Sequence, residues 1–283
     1  MLQFSPNVET QTFKHTSTGP LMVDIHRCPA QSQGCLVFLH GGALLIGSRS
    51  DLPKAVVSLL HAERWDVASL DYRVAPETPV HDIVEDVTDG IDFVRSRFPA
   101  VPTITFGYSA GAYLALLSGA VGAQTDGIIA FAGYGDLEGS WYYEPSQFFL
   151  EYKDVGYIKG KLDRGEQFQS TEERIDLYVY LRQTGLWPQF MLGKNLSALA
   201  PTLSPIRHLS ARFPRTVLVH GDNDCDVPVS ASIEMAAALD QHGIPHKLLI
   251  MEGLDHDLYS KVGDQRVAAA WREALSFVRP SPT

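Results

Sequence analysis

Apolar positions along the chain follow two different periods. Short, largely apolar runs recur at Cys35–His40 (CLVFLH), Asp66–Tyr72 (DVASLDY), Thr103–Gly107 (TITFG), Gly127–Gly133 (GIIAFAG), Thr216–Gly221 (TVLVHG) and His246–Glu252 (HKLLIME). Runs of that length, apolar on both faces, fit strands buried inside a sheet. Between them the period becomes helical. Pro79–Phe98 sets Ile83, Val84, Val87, Ile91 and Val94 on one stripe. Ser50–Arg64 reads as a helix capped by Ser50 or Asp51, with Pro53 in its first turn. Ala110–Val121, Pro228–Gly243 and Asp264–Arg279 are further helices, and Gly243 supplies the residue just past a helix end. Upstream, Thr10–Thr16 and Leu21–Arg27 read as two strands joined by the turn signal Thr18-Gly19-Pro20. About eight strands result, the last six separated by helices or by a long insert. That pattern predicts an α/β fold, a mostly parallel sheet with helices on both faces.

Residues 136–200 break the alternation. Twelve of the chain's 28 aromatic residues fall in these 65 positions. The segment begins and ends beside strands, so it is expected to be a helical insertion into a core of 1–135 and 201–283. The 283 residues, with 45% hydrophobic and 20% charged side chains, suffice for a sizeable core. A formal charge of −10 with no run of Lys and Arg argues against nucleic-acid binding. No stretch approaches the roughly 18 apolar residues of a membrane span. The start MLQFSPNVETQTFKH is not expected to be a signal peptide, and the end RPSPT carries no lipidation or sorting signal. Cys28, Cys35 and Cys225 form no CxxC pair, which fits a reducing cytoplasm.

Chemistry enters at Gly107-Tyr108-Ser109-Ala110-Gly111, a G-x-S-x-G between a strand and a helix. In that context a sharp turn lifts the serine hydroxyl above the sheet, and the two glycines give the turn clearance. A nucleophilic serine needs a base and an orienting acid, in the chain order Ser, acid, His. Of the downstream histidines His208, His220, His242, His246 and His256, only His256 follows the last strand in a short loop. The acid falls within HGDNDCDVP, where Asp222, Asp224 and Asp226 compete and the pattern does not choose; Asp226 could equally cap the helix near Pro228. After CLVFLH comes HGGALLIGS, whose glycines let backbone N–H groups approach a developing oxyanion, with the Ala110 amide as a second donor. Asp71, Arg73 and Glu77 in DYRVAPE read as loop organisers. No HExxH, phosphate loop or dinucleotide fingerprint occurs, so no metal or cofactor is expected.

Taken together, HGGALLIGS, DYRVAPE, GYSAGAYLA, HGDNDCDVP and DHD resemble the α/β-hydrolase superfamily, especially hormone-sensitive-lipase-like esterases and their relatives near feruloyl esterases. The resemblance implies Ser109 as nucleophile, Asp224 as acid and His256 as base. It also implies an oxyanion hole from Gly41, Gly42, Ala43 and Ala110, and an eight-stranded sheet. Ala43 departs from the third glycine usual in the lipase-like group, and the acid loop departs from D-P-L-x-D. With 39 residues before His40, a helical cap is expected from the insert rather than from an N-terminal segment.

The expected activity is cleavage of a carboxylic ester of a small or medium-sized, bulky or aromatic molecule. Tyr108, Trp141, Tyr142, Phe148, Phe149 and Trp187 are its candidate contacts. Amide, formamide, lactone or thioester hydrolysis would use the same triad. A non-catalytic receptor on this fold is the rival from another class, and the intact Ser, Asp and His set argues against it. Partners are limited to the ester and, as an open alternative, a second copy of the chain.

Overall fold

The computed structural model describes residues 8–279. The expectations for the first seven residues and for Pro280–Thr283 lie outside that range. Eight strands and ten α-helices follow one another. In order they are β1 (Val8–Thr16), β2 (Gly19–His26), β3 (Cys35–Leu39), α1 (Lys54–Ala62), β4 (Asp66–Leu70), α2 (Val80–Arg97), β5 (Thr103–Tyr108), α3 (Ala110–Ala120) and β6 (Gly127–Phe131). Then come α4 (Gln147–Tyr152), α5 (Tyr157–Asp163), α6 (Thr171–Thr184), α7 (Trp187–Leu192) and α8 (Leu196–Thr202). The chain closes with β7 (Thr216–Gly221), α9 (Ser230–Gln241), β8 (His246–Met251) and α10 (Gln265–Val278).

All eight strands form one sheet in the order β1-β2-β4-β3-β5-β6-β7-β8. β2 runs antiparallel to both β1 and β4, and every pair from β4 through β8 is parallel. The central strands are apolar on both faces because both are covered. Leu36 and Phe38 of β3 pack with α1 and α10 around Trp271, while Val37 and Leu39 pack with α2, α3 and α9. The predicted α2 stripe, Ile83, Val84, Val87, Ile91 and Val94, is buried. Among the described residues no helix is long and apolar enough to cross a membrane.

Two details differ from the sequence reading. Ser48, not Ser50 or Asp51, is the cap, and it closes a short 3-10 turn, Arg49–Asp51, with Asp51 completing a capping box. α1 itself starts after Pro53 with no side-chain cap. In the insert, α8 runs to Thr202, past the expected boundary at 200.

Close backbone packing joins β3, β5 and α3. A Cβ on Gly111 would lie 2.0 Å from the Leu39 carbonyl oxygen and 2.4 Å from that of His40. One on Gly107 would lie 2.1 Å from the Gly111 oxygen. Backbone cannot yield as a flexible side chain can. Gly111→Ala should therefore destabilise the fold by at least the roughly 1–3 kcal/mol of an overpacked core. Gly263→Ala, where the added methyl meets open space, should stay within about 0.5 kcal/mol of the parent. Denaturant unfolding of the two variants checks this.

Candidate active site

The loops that follow β3, β5, β7 and β8 meet above the sheet, each bringing one part of a polar cluster. Ser109 sits at the β5–α3 join with φ 54° and ψ −121°, a conformation rare for a residue with a Cβ. Its amide donates to the Phe131 carbonyl at 2.9 Å, fixing the turn against β6. The hydroxyl lies 3.0 Å from His256 Nε2. His256 Nδ1 lies 2.7 Å from Asp224 Oδ2. The carboxylate only accepts, so Nδ1 carries the proton and Nε2 accepts from the serine.

Asp224 is held from several sides. Its Oδ1 accepts the amides of Asp226 and Val227, both at 2.9 Å. Its Oδ2 also lies 3.1 Å from His220 Nε2. That nitrogen faces the Val227 carbonyl as well, at 3.0 Å, so it donates, and His220 Nδ1 accepts from Ser232 Oγ at 2.7 Å. Burial alone would raise the Asp224 pKa, but the hydrogen bonds from His220 and His256 outweigh it and hold the carboxyl well below its ordinary value. For His256, burial disfavours the charged ring. The hydrogen bond to Asp224 and the charges of Asp226, Asp224 and Asp257 reverse the balance, and its pKa lies above 6.5.

The other two aspartates are placed differently. Asp222 is exposed and accepts the Gly253 amide at 2.6 Å. Asp226 caps no helix, since α9 starts after Val229 without a side-chain cap. Its Oδ2 instead lies 3.6 Å from His256 Nε2.

After β3 the chain takes three successive positive φ values, 104° at Gly42, 55° at Ala43 and 63° at Leu44. The Gly42 carbonyl accepts the amides of Leu45 and Ile46 at 2.9 and 3.0 Å. The amides of Gly42, Ala43 and Ala110 find no acceptor among the described residues. The insert braces this loop. Trp187 Nε1 donates to the Ala43 carbonyl at 3.2 Å, and Arg174 Nη1 donates to that of Leu45 at 3.0 Å. Asp71, Arg73 and Glu77 pair with Arg49, Asp86 and Arg174, as loop organisers would.

A cleft of about 730 Å³ opens over Ser109 and His256. Of the candidate contacts, Tyr108, Phe148 and Phe149 line it. Trp141, Tyr142 and Trp187 do not. Tyr142 stacks between the other two rings, with centroids 3.6 Å from Trp141 and 4.5 Å from Trp187. Gly42 and Ala43 also line the cleft, whereas Gly41 faces a smaller hollow beside Tyr259. Sequence reasoning missed Ile46, Tyr152, Ile175, Tyr178, Val179, Asn223, Cys225, Asp255 and Asp257 as cleft-lining residues, and weighed Asp226 only as a competing acid or a helix cap. Spacing carried a signal for part of that set, because Ile175, Tyr178 and Val179 share one face of α6. No group of three or more His, Cys, Asp or Glu side chains among the described residues is placed to hold a metal ion.

A serine raised at a strand–helix elbow, over a mostly parallel eight-stranded sheet, is the architecture of α/β-hydrolases. Comparison with known proteins agrees. The model of the BD-FAE family matches residues 23–239, and the chain belongs to that family. A structure from Staphylococcus aureus, of unknown function, is 26% identical, with a TM-score of 0.76 over 95% of this chain and 98% of that one. An α/β-hydrolase superfamily protein from Enterococcus faecalis is 24% identical, with a TM-score of 0.73 over 96% and 98%. Among curated proteins, a probable isoprenylcysteine alpha-carbonyl methylesterase of Arabidopsis thaliana is 26% identical over 79% of this chain and 45% of its own length. Esterase LipC of Mycobacterium tuberculosis is 28% identical over 71% and 47%. The chain thus spans about half the length of these curated relatives.

The His256 ring holds its proton more tightly than a free imidazole, because the Asp224 hydrogen bond and the neighbouring carboxylate charges outweigh burial. In Asp224→Asn, burial would act without the compensating anion, and the ring should titrate lower than in the parent protein. Imidazole NMR titration of both proteins checks the order.

Proposed function

We propose that this protein is a serine hydrolase that cleaves a carboxylic ester of a small or medium-sized molecule carrying a bulky, apolar or aromatic group. The observation that carries this reading is the continuous hydrogen-bonded path Ser109–His256–Asp224, at 3.0 and 2.7 Å, beside amides that find no acceptor among the described residues.

Ser109 Oγ attacks the ester carbonyl carbon, and its proton passes to His256 Nε2. Asp224 keeps the Nδ1 proton in place and stabilises the imidazolium. The carbonyl oxygen becomes anionic and takes hydrogen bonds from the amides of Gly42, Ala43 and Ala110, with Gly41 shaping the loop. Collapse of the tetrahedral adduct breaks the bond to the alcohol oxygen, which leaves with the His256 proton. Water then attacks the acyl-enzyme by the same route, releasing the acid and returning the proton to Ser109. Every proton and electron pair is handled by the chain's own residues and water.

Residues 136–200 are proposed as a cap over a core of 1–135 and 201–283, supported by the contribution of Phe148, Phe149, Tyr152, Ile175 and Tyr178 to the cleft wall. A relative named for methylesterase activity on an isoprenylcysteine fits an ester flanked by a large apolar group. A cytoplasmic location is supported by three free cysteines.

Ser109→Ala should fold and lose on the order of 10⁶ in kcat; near-parental turnover would remove the mechanism. Asp224→Asn should cost on the order of 10⁴ through the wrong imidazole tautomer. Asp222→Asn and Asp226→Asn should cost far less in the same assay.

The aromatic residues of the insert should divide by position. Phe148→Ala and Phe149→Ala should lower kcat/KM for bulky esters by about 5- to 150-fold, the range for losing roughly 1–3 kcal/mol of apolar contact. Acetate esters, which bury little there, should change much less. Trp187→Ala, which loosens the loop at Ala43, should lower both substrates by a similar factor. A small and a bulky ester assayed across the three variants test the division.

A further inference from the structure

Asp226 is a second carboxylate beside the proposed base. Its Oδ2 lies 3.6 Å from His256 Nε2, the nitrogen that faces Ser109 at 3.0 Å. At 3.6 Å the pair is too long for a good hydrogen bond. Asp226 therefore acts on the ring by charge and leaves the bond to the serine intact. Its orientation comes from the insert. Tyr178 of α6 donates its hydroxyl to Asp226 Oδ1 at 2.5 Å. One turn on, Arg182 donates Nη2 to the Asp226 carbonyl at 3.0 Å. Arg182 is itself buried, its guanidinium 4.9 Å from the centre of the Trp141 ring and 5.4 Å from those of Tyr142 and Phe149.

We propose that Asp226 is a positioning residue for the reaction, a cleft-facing carboxylate that stabilises the His256 imidazolium from the Nε2 side while Asp224 does so from the Nδ1 side. The inference rests on the serine-hydrolase reading above. Other charged or titratable groups face the ring from every neighbouring element. Asp224 and His220 stand behind Nδ1. Asp255 is paired with Lys261, and Asp257 accepts the hydroxyl of Tyr108. Tyr178 and Arg182 approach from α6. Among the described residues, Asp226 alone brings a carboxylate oxygen within 4 Å of Nε2. The raised pKa of His256, to which the Asp226 charge contributes after burial and the Asp224 bond, agrees.

An opposite charge at this range favours the protonated ring by about one pH unit or more. Asp226→Asn should therefore act in two ways. The acid limb of the kcat/KM–pH profile should move down by about one unit, since the ring loses its proton more easily. The plateau at high pH should fall several-fold, since the imidazolium formed during reaction is less stabilised. Asp226→Glu should bring the limb back toward the parent position. If the amide side chain disturbs the loop, Asp226→Ser gives the same neutral test. Fluorophosphonate labelling of Ser109 confirms that each variant keeps an intact site. A lower plateau with an unmoved limb in labelled, folded variants would assign Asp226 a structural role and overturn the proposal. Failure of the underlying reading is separate, because it would appear as turnover surviving in Ser109→Ala.

Discussion

The contact on which the site depends is made by backbone alone, between the first turn of α3 and the end of β3. Gly111 sits so close to the carbonyls of Leu39 and His40 that a methyl group would overlap them. That approach brings the start of α3 against the loop after β3, so the Ala110 amide and those of Gly42 and Ala43 belong to one rigid unit. Gly107 closes the same turn from the β5 side. Ser109 has little freedom to relax its positive φ, because its amide is spent on Phe131 and its carbonyl on Tyr113. Strain at the elbow persists because three elements over-determine it. The nucleophile and oxyanion donors proposed here are therefore placed by a single packing constraint rather than separately.

A second constraint comes from the insert. Arg174, Tyr178 and Arg182 stand at i, i+4 and i+8 on α6, one face of one helix. Arg174 reaches the Leu45 carbonyl in the loop after β3, and Tyr178 and Arg182 reach Asp226 in the loop after β7. One helix face thus bridges the two loops that flank Ser109 and His256. A capping box from Ser170 and Glu173 starts this helix, and Gly185 in a left-handed conformation ends it, so its register is fixed at both ends. Such a segment braces the two loops, besides the cover proposed for it. A swinging flap would have to break these bonds and the Trp187 contact to Ala43 together.

Much of this was legible in the sequence, and the gaps have physical reasons. The sheet, its flanking helices, the Ser109 elbow and the late His256 loop follow from local period and chain order. The local pattern left the acid open, because three aspartates occupy alternate positions of one turn, and only the family resemblance pointed to Asp224. Asp224 reaches His256 because the amides of Asp226 and Val227 fold the chain around its other oxygen, and no composition rule expresses that. The aromatic residues of the insert were visible as a set, but not by role. Trp141, Tyr142 and Trp187 look as suited to a pocket as Phe148 and Phe149. Only the folded packing separates the first three, which stack on one another and do not line the cleft, from the latter two, which do. Asp226 read as a competing acid or a helix cap because its partner Tyr178 lies 48 residues away along the chain.

Ala43 shows how these levels meet. A third glycine would adopt its φ of 55° without strain. With alanine there, the left-handed turn has a cost that must be offset elsewhere. The compensation is visible on both sides of the residue. Gly42 turns its carbonyl onto the amides of Leu45 and Ile46, closing the loop from within. Trp187, buried in the insert and stacked on Tyr142, donates its indole N–H to the Ala43 carbonyl from outside. That bond fixes the peptide following Ala43, while the Ala43 amide finds no acceptor among the described residues. Alanine has a narrower conformational range than glycine, and the Trp187 bond adds a constraint on the same peptide. The insert's aromatic richness then has a reason independent of any ligand: part of it holds in place the loop proposed to carry the oxyanion donors, where Ala43 sits at a positive φ.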